Sequence, residues 1–80
     1  MHKDEIHIGY LIKCKLKKER KSKRWLAENL DCCRTNVYKI LAKPSIDTAQ
    51  LQKISLVLRK NFFDDLSDFC QKKLDKIEDT

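Results

Sequence analysis

The chain has 80 residues with one Gly and one Pro, so it is too short for a deeply enclosed active site, poor in turn chemistry and expected to be mostly helical. Charged residues make up 38% and hydrophobic residues 41%, a globular balance that excludes a disordered tail. The net charge of +6 is uneven: residues 1–43 carry 12 Lys/Arg against 5 Asp/Glu, and residues 44–80 carry 6 against 7, which points to a polyanionic partner on one face rather than only a solubilising surface. No apolar run approaches the ~20 residues needed to cross a bilayer. The opening MHKDEIHIGY lacks the apolar core of a secretory signal. A cytoplasmic location is therefore expected, with Cys14, Cys32, Cys33 and Cys70 kept reduced.

In chain order, residues 5–20 place Ile8, Leu11, Ile12 and Leu16 at helical spacing, with Lys13, Lys17, Lys18 and Arg20 opposite. Lys15 sits near the apolar stripe, where its stem can snorkel. Ser22 is a good N-cap for a second helix carrying Trp25, Leu26, Ala27 and Leu30. After Asp31-Cys32-Cys33 comes a third helix, 33–41, with Val37, Ile40 and Leu41 inward, stopped by Lys43-Pro44-Ser45. Asp47 and Gln50 form a capping-box pattern for a fourth helix lined by Leu51, Ile54, Val57 and Leu58. Asn61 caps a fifth, with Phe62, Phe63 and Leu66 expected in the core. Residues 67–80 read as a helical extension or a frayed tail of the same single domain, whose core spans 8–66.

The link between the second and third helices is the tightest. Two helices joined by about three residues cross steeply, at ~90–120°, as in a helix-turn-helix. Small Ala27 lets the helices approach, Leu26, Leu30, Val37 and Ile40 can share one core, and Asp31 sits where the chain needs a left-handed residue. The span Ile8–Leu66 resembles the Cro/repressor-type (XRE-like) helix-turn-helix domains of bacteria and phages. The resemblance is carried by Ile8-Gly9, the Ser22 cap, Leu26-Ala27, Val37, Ile40 and the segment Asp47–Leu58. Trp25 before Leu-Ala is a further point of likeness. Asp31 stands where the family prefers Gly, Lys21 where it often has an aliphatic residue, and Cys33 where Ser or Thr usually caps the third helix; a thiol is a poor acceptor there.

The resemblance implies an all-α, lambda-repressor-like bundle of about five helices whose third helix enters the DNA major groove. It places the base-reading positions on Arg34, Thr35, Tyr38 and Lys39. The chemistry suits: Arg34 and Lys39 can donate to guanine O6 and N7, and Thr35 offers a methyl for thymine. Tyr38 can bond to the backbone or pack at the bundle edge. Phosphate contacts are expected from Lys21, Ser22, Lys23, Asn36, Lys43 and Ser45, which flank the third helix. The lysines at 13–18 are weaker candidates for such contacts: the first helix is expected to sit behind the motif, where they solvate it or add long-range attraction. The family usually dimerises, and Phe69, Cys70 and Leu74 are the candidate contacts between two copies. A small repressor from a phage or mobile element, with no cofactor and no small-molecule ligand, is the function so implied.

Other classes fit less well. Adjacent Cys32-Cys33 do not have zinc-ligand spacing, and Cys32 reads instead as a small buried apolar residue in the turn. Cys33 beside Arg34 has the placement of a redox-sensitive thiol, whose oxidation would weaken DNA binding. No enzyme is expected: Asp64, Asp65 and Asp68 cluster at a helix start, where they complement its dipole. The alternative from another class is a protein-interaction module of the same fold, an antitoxin or anti-repressor partner.

Overall fold

A computed structural model describes residues 5–78, which form five helices and, among the described residues, no strand. They are α1 (Ile8–Lys18), α2 (Lys23–Asn29), α3 (Arg34–Ala42), α4 (Thr48–Leu58) and α5 (Phe62–Glu78). No helix among the described residues is long and apolar enough to cross a membrane. The third helix begins and ends one residue later than the spacing suggests, because Cys33 keeps extended dihedrals (φ −82°, ψ 159°) and serves as N-cap. The last two residues of the chain lie outside the described part, as do the first four.

The helix starts follow from side-chain acceptors. Ser22 Oγ accepts from the Trp25 N–H at 2.9 Å, and Asp47 Oδ1 from the Gln50 N–H at 2.7 Å. Asn61 Oδ1 accepts from the Phe63 N–H, and His7 Nδ1 from the Tyr10 N–H. Each removes one of the unpaired donors that a helix N-terminus leaves. The helix ends are less usual. Arg20, Asp31 and Arg59 take left-handed backbone, with φ of 53–56°, and none is glycine. At the first two, paired bonds close the helix: Lys21 N–H to Leu16 O with Arg20 N–H to Lys17 O, and Cys32 N–H to Ala27 O with Asp31 N–H to Glu28 O. Both are Schellman closures. At the third, the Lys60 N–H donates to Ser55 O.

The core is one cluster: Ile8, Ile12 and Leu16 from α1, Leu26 and Ala27 from α2, Val37, Ile40 and Leu41 from α3, Leu51, Ile54 and Leu58 from α4, and Phe62 from α5. At ~1.5–3 kcal/mol for each large apolar side chain, this burial is the main stabilising term. α3 packs on both α1 and α2, and α4 lies against α1 and α5. At the α4–α5 corner, buried Ser55 Oγ accepts from the Phe62 N–H at 3.4 Å. Two expectations are corrected. Phe63 is not core: it stays exposed beside Leu56, because the corner turns Phe62 inward and its neighbour out. Cys32, read as buried, is half-buried at the core edge.

The one glycine marks the closest approach of two elements. Ile8 N–H donates to Pro44 O and Gly9 N–H to Lys43 O, both at 2.9 Å, so the first turn of α1 is capped by the backbone that leaves α3. A Cβ built on Gly9 would lie 2.2 Å from Leu41 O and 2.7 Å from Lys43 O, atoms of the main chain that cannot step aside. Helix propensity alone would make Gly9→Ala stabilising by ~0.5–1 kcal/mol. The contact predicts the opposite sign: a loss of about 1–3 kcal/mol from overpacking. Urea denaturation of the two proteins separates these outcomes, and equal or higher stability of the variant would contradict the contact.

Candidate nucleic-acid interface

α3 divides its side chains cleanly. Val37, Ile40 and Leu41 are buried, while Arg34, Thr35, Asn36, Tyr38 and Lys39 are exposed. The division follows from the 100° step per residue once Val37 is fixed in the core. Arg34, Thr35, Tyr38 and Lys39 thus share the outward side of one helix. Tyr38 is about half-exposed, and Lys23 Nζ stands 5.0 Å from its ring centroid, a cation–π contact that ties the start of α2 to the middle of α3.

Beside this face runs an open groove of about 490 Å³ between the end of α1, the start of α2 and α3. Lys13, Lys17, Lys21, Lys23, Arg24 and Arg34 line it with Leu16, Ser22 and Tyr38, and no carboxylate belongs to the lining. Arg24 is partly neutralised by an exposed ion pair with Glu28 at 3.3 Å. Lys21 Nζ lies 5.0 Å from the Trp25 ring, which holds that cation at the groove edge. Such a wall of like charge next to a polar helix face attracts an extended anion more than a compact acid.

Of the expected phosphate contacts, Lys21, Ser22 and Lys23 come together in this groove with Arg34 and Tyr38. Asn36, Lys43 and Ser45 are exposed but sit apart from it, Asn36 on the far flank of α3 and the other two in the segment after it. The placement of the α1 lysines corrects the sequence reading. Lys13 and Lys17, one turn apart on α1, face the groove, because α1 packs directly on α3. Lys13 also lines a shallow depression with Lys23, Tyr38, Leu41 and Ala42, so it reaches α3 on both sides of Tyr38. Their i, i+4 spacing was visible in the sequence, but the packing partner of that stripe was not.

The cysteines stand outside this arrangement. All four are free thiols, and among the described residues no three His, Cys, Asp or Glu side chains gather into a group that could hold a metal ion. On the exposed start of α1 the Tyr10 hydroxyl is held above its ordinary pKa, first by its hydrogen bond with the Cys14 thiol and then by that thiol's charge when ionised. Phe69 is half-buried and Cys70 and Leu74 are exposed, all on the far half of α5.

Cys33 makes no side-chain cap bond, although its dihedrals match those of Ser22 and Asp47, which do. The backbone is therefore ready for an acceptor that the thiol does not supply. The Asn36 N–H now donates to the Cys33 carbonyl at 3.1 Å, so Cys33→Ser offers it a second acceptor and should raise stability by at most about 0.5–1 kcal/mol. A thermal melt that shows no gain would contradict this account of the α3 start.

No family model, curated protein or solved structure matches this chain.

Proposed function

We propose that this chain is a sequence-specific double-stranded DNA-binding regulator of the Cro/repressor type, with α2 and α3 acting as a helix-turn-helix. A small repressor is the form of regulator proposed. The observation that carries it is the continuity of two surfaces: an α3 face of Arg34, Thr35, Tyr38 and Lys39, and a groove of six cations that shares Arg34 and Tyr38 with it. The short link through left-handed Asp31 and the buried Ala27 support the motif, since both let α3 turn sharply against α2. In this reading Arg34, Thr35, Tyr38 and Lys39 reach base edges, while Lys21, Ser22, Lys23, Asn36, Lys43 and Ser45 hold phosphates and fix the docking.

Selection of bound duplexes from a random pool tests this. Wild type should recover a defined site. Lys39→Ala should relax preference at one base pair, a change of about 1–3 kcal/mol in discrimination, while Lys43→Ala should weaken all sites alike. Recovery of no preferred sequence would overturn the assignment.

The same reading includes a homodimer through α5. The helix leaves the core in its second half: Leu74 and Ile77 are 50% and 66% exposed, and the molecule is 47 Å long but only 24 by 23 Å across. Leu66, Cys70, Leu74 and Ile77 follow one stripe at spacings of four, four and three, flanked by Phe69, the pattern of a helix that packs on another. Half-sites for such dimers lie about 34–36 Å apart, the spacing that two copies so joined would have to match. Leu74→Asp should shift the protein toward monomer in sedimentation velocity at micromolar concentration and weaken binding to a paired site more than to a single half-site. An unchanged mass would remove α5 from the interface. The runner-up, a protein-interaction module, is favoured by one observation: exposed Leu56 and Phe63 line an open, mainly apolar recess of about 460 Å³ between α4 and α5. It becomes the better account if no duplex binds even at low salt.

A further inference from the structure

We propose that Lys13 and Lys17 of α1 are part of the DNA contact, so that the backbone footprint spans three helices rather than the α2–α3 pair; this rests on the reading above. The ligand they take is the phosphodiester backbone of a duplex, on the strand that passes the α1–α2 edge of the groove.

Three observations carry it. Lys13 and Lys17 stand on either side of Leu16 in the chain, and Leu16 is buried at the base of the groove, so the two ammonium groups rise from its α1 wall. The opposite wall holds Lys21, Lys23 and Arg34, and no carboxylate lies between the walls. Cations so gathered repel one another in the free protein, and each gains when a phosphate enters, because the anion replaces a like charge as nearest neighbour. The groove is also open and continuous with the outward face of α3 through Arg34 and Tyr38, which suits a strand running past a helix in the major groove. Lys18 supplies the internal comparison. It is also exposed on α1, but it faces the other side of the helix, toward Arg59, Lys60 and Asp65. Lys13, Lys17 and Lys18 therefore contribute equally to net charge and unequally to the groove.

The experiment measures affinity for a mixed-sequence 20-base-pair duplex as a function of salt, with wild type, Lys13→Ala, Lys17→Ala, the double variant and Lys18→Ala. Each phosphate contact contributes about 0.9 to the slope of log affinity against log salt. Lys13→Ala and Lys17→Ala should each make the slope shallower by about 0.9, the double variant by about 1.8, and Lys18→Ala should leave it unchanged. Circular dichroism melts of the same variants separate loss of contact from loss of fold. If Lys13→Ala and Lys17→Ala behave as Lys18→Ala, wild type still binding steeply, the proposal fails and the DNA-binding reading stands. If wild type binds no duplex at low salt, both fail. Inorganic tripolyphosphate distinguishes the other source of the same chemistry: displacement of the duplex by micromolar tripolyphosphate, with ionic strength held constant, would assign the groove to a free polyphosphate and overturn the proposal.

Discussion

The structure depends on the junction where the first turn of α1 meets the end of α3. Three donors at the start of α1 need partners. Tyr10 N–H finds the His7 imidazole, while those of Ile8 and Gly9 find the carbonyls of Pro44 and Lys43. The last two bonds require main chain against main chain, and Gly9 is the residue without the Cβ that would prevent it. With α1 and α3 held at that distance, Ile8, Ile12, Ile40 and Leu41 fall into one core. The azimuth of α3 is then set: Val37 inward, Arg34, Tyr38 and Lys39 outward. The same packing brings Lys13 and Lys17 beside the polar face. A site proposed to read DNA is thus oriented by a backbone contact at the C-terminal end of its own helix.

A chain with one glycine has to choose where to use it. Here it goes to the α1–α3 junction, and the helix ends take left-handed Arg20, Asp31 and Arg59 instead. For residues with a Cβ that conformation costs ~1–2 kcal/mol each. The Schellman bonds at the ends of α1 and α2 offset part of the cost by satisfying carbonyls that would otherwise lack partners. At the α2–α3 corner Asp31 is the residue type that tolerates this conformation best after glycine, and the Asn36 N–H turns back to the Cys33 carbonyl in place of a side-chain cap. Small domains have a margin of only ~5–15 kcal/mol, so such terms matter.

Much of the fold was legible in the sequence because its signals are local. Ser22, Asp47 and Asn61 announce helix starts through their own side chains, and Pro44 announces a stop. The apolar spacing of Ile8–Leu16 and Leu51–Leu58 gives helix faces directly. What was not legible depends on partners distant in the chain. Whether Lys13 and Lys17 face solvent or a groove is decided by what α1 packs on, and nothing within α1 states it. Phe62 and Phe63 are chemically alike, and only the turn at Asn61 and the Ser55 bond decide which one enters the core. The adjacent cysteines drew attention as a chemical motif, yet their place is that of a corner: one thiol half-buried, one at an uncapped helix start.

The central claim is that the outward side of α3, with the basic groove beside it, receives a duplex. Backbone amide NMR during titration with a 20-base-pair duplex at low salt tests it most directly, because every helix reports at once. The account predicts that shift changes concentrate in Lys13–Lys17, Lys21–Arg24, Arg34–Lys39 and Lys43–Ser45, leaving the α4–α5 recess around Leu56 and Phe63 unmoved. Changes centred on that recess, or none at all, would contradict it.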